Sequence, residues 1–228
     1  DNTRTATLFT VRDRAEVVGP MRRLVDATWE REHPVRNLKT KYDYLGGNII
    51  ARVTGELRLD NYRTNGGTGR LDFDAAPTEQ WATFRLTLPA AAKRGNVPVS
   101  LYAHGLGTNK ESDLVVAAMN ADLGIATFSI DFPNHGDRID ADGGGVFEIL
   151  EIDRLATIVG MVTHNTIDFA SAHKALRSVL ADIDVVGKTS WSHWCWSCAD
   201  GVPDIDPTHL IMQGTSLGGV LGSTYASL

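Results

Sequence analysis

From residue 97 onward the chain repeats one pattern three times: a short apolar run, a turn bearing glycine, then a longer segment of helical periodicity. Val97, Val99, Leu101 and Ala103 form the first run, which enters His104-Gly105-Leu106-Gly107. Ile125 to Ile130 form the second and run into Asp131-Phe132-Pro133-Asn134-His135-Gly136-Asp137. Thr208 to Gln213 form the third and enter Gly214-Thr215-Ser216-Leu217-Gly218-Gly219. Such alternation of strand and helix is satisfied by a parallel sheet with right-handed crossovers and helices on its faces, an α/β architecture.

The intervening helices carry their own signals. Thr108 and Glu111 fit a capping box, and the helix they open places Leu114, Val115, Ala118 and Met119 on one face, closed by Gly124. Asn165 or Thr166 is positioned to cap a long helix with Phe169, Ala172, Leu176, Val179 and Ile183 inward. Residues 1–84 read differently, as a β-rich and helical lead-in to a main unit over 85–228. Residues 2–11 have strand character, and 13–31 a helical pattern that Pro20 is expected to start. Residues 45–59 and 81–88 alternate as strands, with Asn65-Gly66 as a turn between them. These hairpin-like runs predict antiparallel strands at one edge of the sheet.

The net charge of −6 gives no electrostatic reason to bind nucleic acid. No apolar stretch is long enough to cross a bilayer. The 43% hydrophobic and 22% charged content is that of a folded domain.

Gly214-Thr215-Ser216-Leu217-Gly218 is G-x-S-x-G between an apolar strand and a helical pattern. A serine on so sharp a turn needs tiny neighbours two before and two after it, here Gly214 and Gly218. The helix N-terminus behind it favours developing negative charge. Ser216 is therefore the candidate nucleophile, against the plainer reading of a passive serine in a glycine-rich turn. Acyl transfer also needs two donors aimed at an oxyanion. The backbone N–H of Leu217 is one candidate and that of Leu106, in the loop after the first parallel strand, is the other. His104 and Gly105 support that loop, with His104 read as shaping it rather than transferring protons.

The order YAHGLG (102–107), DFPNHGD (131–137), GTSLGG (214–219) resembles the α/β-hydrolase superfamily of serine esterases and lipases over roughly residues 85–228. The stretch from about Leu86 is similar to bacterial lipases of the virulence-factor type. The resemblance implies an α/β-hydrolase fold, a mostly parallel sheet incomplete at its C-terminal side. It implies ester hydrolysis through an acyl-enzyme on Ser216, with Leu106 and Leu217 as oxyanion donors and no cofactor. It further implies small-molecule or lipid esters as substrates and an extracellular or cell-envelope location, and leaves membrane association open. A catalytic acid and a histidine should follow the serine. Only twelve residues do so, hence the expectation that the chain is a fragment. Peptidase or acyltransferase activity of the same serine, and a non-catalytic binding module, are the alternatives.

Other features are weaker. Of the histidines at 33, 104, 135, 164, 173, 193 and 209, His135 is the best internal candidate for a base, though its motif suits a loop brace. Cys195 and Cys198 with His193 could be a redox pair, half a metal site or a local disulfide. A structural loop at the sheet edge opposite the serine is favoured, packed by Trp191, Trp194 and Trp196. Asp137, Asp140 and Asp142 lack the ordered ligands of a calcium loop, so no metal is assigned. Residues 138–165, apolar from Val146 to Val162, are a candidate cap.

Overall fold

A computed structural model of the protein describes residues 10, 12–43, 47–139, 155–187 and 198–228. In chain order the elements are α1 (Arg14–Trp29), β1 (Val35–Tyr42), β2 (Ile49–Asn61), a single turn α2 (Thr64–Gly67) and β3 (Thr78–Pro89). There follow β4 (Val97–Ala103), α3 (Leu114–Asp122), β5 (Ala126–Ile130), α4 (Leu155–Leu176), β6 (Ile205–Gly214) and α5 (Leu217–Ala226). Among the described residues six strands form one mixed sheet in the order β1-β2-β3-β5-β4-β6. β4 pairs in parallel with both β5 and β6, whereas β1, β2 and β3 form an antiparallel meander whose last strand joins β5. The strands expected from residue 97 onward are thus the parallel ones, and the hairpin-like region supplies the antiparallel edge. Asn65 and Gly66 both take positive φ in the β2–β3 connection, as an Asn-Gly turn requires.

Alternation along the strands gives the sheet two unlike faces. Phe84, Leu86, Val99, Leu101, Phe128 and Ile130 are at most 1% exposed and join Phe169, Ala172 and Leu176 of α4 in the main core. Each fully buried Leu or Phe contributes about 1.5–3 kcal/mol. Between these positions lies a polar layer that is also largely buried. Ser100 donates to Gln213, Asn120 of α3 donates to Thr127 and Gln213, and Ser129 donates to Asp113, which pairs with Arg85. α3 sits on this layer through Asn120, Ala117 and Ala121. Its apolar face therefore turns outward: Leu114, Val115 and Met119 are each more than half exposed.

Several local expectations shift. α1 begins at Arg14, six residues before Pro20, because the Asp13 side chain accepts from the Glu16 N–H and supplies the cap. The 3₁₀ turn before α3 is capped by Asn109 rather than Thr108. α4 is already helical at Leu155, so Asn165 lies inside it and bonds back to the carbonyls of Met161 and Val162. The helix ends at Leu176, which leaves Val179 in the following turn and exposed. β1 carries no apolar alternation, since most of its residues are exposed.

Of residues 2–11, expected as a strand, only Thr10 is described. Residues 140–154 of the candidate cap, including Asp140 and Asp142, lie outside the described residues, as do His193, Cys195 and the tryptophans at 191, 194 and 196. Residues 155–165 of the cap form the first half of α4.

Candidate functional site

β4 and β6 run side by side and end level, with Ala103 paired to Gly214 and the Thr215 N–H donating to the Ala103 carbonyl at 3.0 Å. The loops that leave them are therefore neighbours. Ser216 sits between β6 and α5 with φ 54° and ψ −121°. A non-glycine residue in that region costs about 1–3 kcal/mol, which the surrounding packing must hold in place. The glycines show how. A Cβ on Gly214 would lie 2.4 Å from the Gly218 carbonyl carbon, across the turn. A Cβ on Gly218 would lie 2.1 Å from the Ala103 oxygen, so its constraint comes from the neighbouring strand. Gly219 is freer, with nothing nearer than 3.4 Å.

The loop after β4 packs directly against the serine. A Cβ on Gly105 would lie 3.5 Å from the Ser216 Cβ and 3.4 Å from the Thr215 oxygen. Leu106 follows in this loop, and Leu217 is the first residue of α5. Neither backbone N–H has an acceptor among the described residues. For Leu217 this follows from its place in the first turn of a helix, where N–H groups have no partner within the helix.

His104 is fully buried and stacked on Phe132 at 4.0 Å between ring centroids. Its Nε2 accepts from the Phe132 N–H at 2.9 Å, which places the proton on Nδ1, donating to the Gly105 carbonyl at 2.8 Å. Burial pushes its pKa down to about 4, so the ring is neutral at ordinary pH. A ring with both nitrogens engaged braces two loops and has no lone pair free for Ser216.

A second clamp joins the same loops. Asp131, fully buried, accepts from the Lys110 N–H at 2.7 Å, the Lys110 Nζ at 2.9 Å and the Asp137 N–H at 3.0 Å. Lys110 Nζ also donates to Asp137 at 2.7 Å. Burial would lower the Lys110 pKa, but the hydrogen bonds to Asp137 and Asp131 outweigh it and raise it. Gly136 is forced by this wrapping: its φ is +51°, and a Cβ there would meet the Asp131 carboxylate at 2.4 Å. Nothing in the sequence marks this clamp, because the partners of Lys110 are 21 and 27 residues away.

No described histidine hydrogen-bonds to Ser216. His135 is buried and its Nδ1 donates to the Pro133 carbonyl at 2.9 Å, the loop-bracing role its motif suggests. His33 links the carbonyls of Thr28 and Arg58, and His173 pairs with the Tyr225 hydroxyl. Two His–Asp pairs exist among the described residues. His164 and Asp168 are buried at 3.3 Å beside Arg138. His209 and Asp206, at 2.6 Å, stand in the first half of β6. At the rise of an extended strand, His209 is about 23 Å along the chain from Ser216. Cys198 is buried and disulfide-bonded, which removes it as a thiolate ligand. Among the described residues no cluster of His, Cys, Asp or Glu could hold a metal. A cleft of about 300 Å³, lined by Lys39, Glu56, Thr83, Lys110 and Asp137, does not include Ser216.

No protein-family model matches the chain. No curated protein matches it either. Solved structures do. Acetyl xylan esterase from Paenibacillus sp. R4 is 17% identical with a TM-score of 0.50, the match covering 97% of this chain and 57% of that one. Acetyl xylan esterase 1 from Thermoanaerobacterium sp. JW/SL YS485 is 13% identical with a TM-score of 0.50, over 92% and 53%. The chain thus spans a little over half the length of these structures. At such identities the likeness speaks for the fold. Together with the mixed sheet, the strand-to-helix serine turn and the flanking helices, it shows that this chain has the α/β-hydrolase fold.

Proposed function

We propose that the protein hydrolyses carboxylic esters through an acyl-enzyme on Ser216. The observation that carries this reading is the backbone of Ser216, held at φ 54° next to Leu217 and against Gly105 of the loop that carries Leu106, the N–H groups of both leucines being without acceptors among the described residues. A strained serine at the head of a helix is costly to keep, and strain of this kind gathers at reactive sites. Ser216 Oγ attacks the acyl carbon, and the Leu106 and Leu217 N–H groups receive the oxyanion. A histidine takes the serine proton and returns it to the leaving alcohol, and water then releases the acyl group. Since no described histidine bonds to Ser216, that base and its carboxylate partner are assigned to residues other than the described ones.

The substrates are small-molecule or lipid esters, and no cofactor takes part. The two acetyl xylan esterases, which are esterases by name, support ester chemistry in general. The disulfide at Cys198 supports an extracellular or cell-envelope location, since such bonds persist in oxidising compartments. In the intact protein, Ser216→Ala is expected to lower kcat on short p-nitrophenyl esters by at least about a thousandfold. Hydrolysis at the original rate would overturn the assignment.

A further inference from the structure

Thr108 stands three residues after Gly105 and does not cap the helix that follows; Asn109 does. Its hydroxyl instead donates to the Gly105 carbonyl at 2.8 Å, and its own N–H donates to the same oxygen at 3.3 Å. The turn that brings it back uses Gly107 at φ +74°. With Nδ1 of His104 at 2.8 Å, three donors converge on one carbonyl oxygen.

That carbonyl belongs to the peptide unit whose N–H is Leu106. No described peptide bond is cis, and in a planar trans peptide the C=O and N–H point in opposite directions. Fixing the Gly105 oxygen therefore fixes the direction of the Leu106 N–H. Gly105 packs against the Ser216 Cβ on one side, so this donor is held beside the serine. Leu106, Gly107 and Thr108 are all exposed, and packing alone would not set this plane.

We propose that Thr108 is a positioning residue for ester hydrolysis, its hydroxyl orienting the Gly105–Leu106 peptide so that the Leu106 N–H meets the oxyanion. The inference rests on the function proposed above. Orientation of a donor matters most where charge develops, in the transition state, so its loss should appear in kcat and leave ground-state binding alone.

The test uses Thr108→Val, which keeps the shape and the backbone N–H but removes the hydroxyl, and Thr108→Ser, which restores it. Both are made in the intact protein, with Ser216→Ala beside them. Thr108→Val is expected to lower kcat about tenfold with KM within about twofold. Affinity for a trifluoromethyl ketone, which forms an oxyanion-bearing adduct on the serine, should fall by the same factor. Thr108→Ser should recover most of both, with thermal midpoints unchanged. Wild-type kcat in Thr108→Val, a loss confined to KM, or a loss that serine does not rescue would overturn the inference. Activity remaining in Ser216→Ala would instead overturn the reading on which it rests.

Discussion

At the scale of single residues, the site is a set of backbone positions held against their preference. Ser216 has its unusual angles in a turn so tight that neither Gly214 nor Gly218 has room for a Cβ. Gly218→Ala should cost several kcal/mol, because its Cβ would fall 2.1 Å from a strand carbonyl. Gly219→Ala, at 3.4 Å from its nearest atom, should cost well under that. Similar losses at both positions in urea unfolding would contradict the packing. Gly214 is legible in the sequence because what crowds it, Gly218, lies four residues on; Gly218 is legible from the motif, although the atom that crowds it is the Ala103 carbonyl of the neighbouring strand. Thr108 reads as a cap because a threonine three residues before a glutamate has the same spelling in either role.

The histidines carry a pH signature. Burial lowers His104 and His173 to about 4 in the folded protein, below their value of 6.5 when unfolded. Their contribution to stability is complete above pH 6.5 and is lost as pH falls toward 4, because the unfolded chain takes up protons first. Asp204 acts in the opposite sense. Burial raises it to about 7, so its contribution is complete below the unfolded value of 3.8 and is lost as pH rises through 7. In an NMR titration, the His104 ring signals should stay those of a mostly neutral ring until the pH nears 4. A midpoint near 6.5 would contradict its burial between Phe132 and Gly105.

At the scale of elements, α3 shows how far pattern reading goes. Its apolar face is visible in the sequence, but which way it turns depends on the polar layer of β3, β4, β5 and β6 beneath it. That layer is assembled from residues as distant as Asn120 and Gln213, so no window of sequence displays it. α4 is tied down differently. Burial would raise the pKa of Asp168, yet Arg138 and His164 outweigh it and hold the carboxylate ionised. Arg138→Met should cost about 3–5 kcal/mol by leaving the buried Asp168 carboxylate with His164 as its remaining partner. Loss of less than about 1 kcal/mol would show that the pair does not fasten α4 to the loop after β5.

At the scale of the whole molecule, three motifs in a set order reveal the fold, because each marks the end of a parallel strand where sequence and geometry are tightly coupled. β1 is not legible because an exposed edge strand needs no apolar period. The clamps between the loops are not legible because they join residues brought together only by the sheet. What those clamps hold are the loops beside Ser216, the proposed nucleophile. The most direct measurement treats the intact protein with a fluorophosphonate and maps the adduct by peptide mass spectrometry. Stoichiometric labelling at Ser216, lost in Ser216→Ala, is the predicted result. Ester hydrolysis that proceeds with Ser216 unlabelled would contradict it.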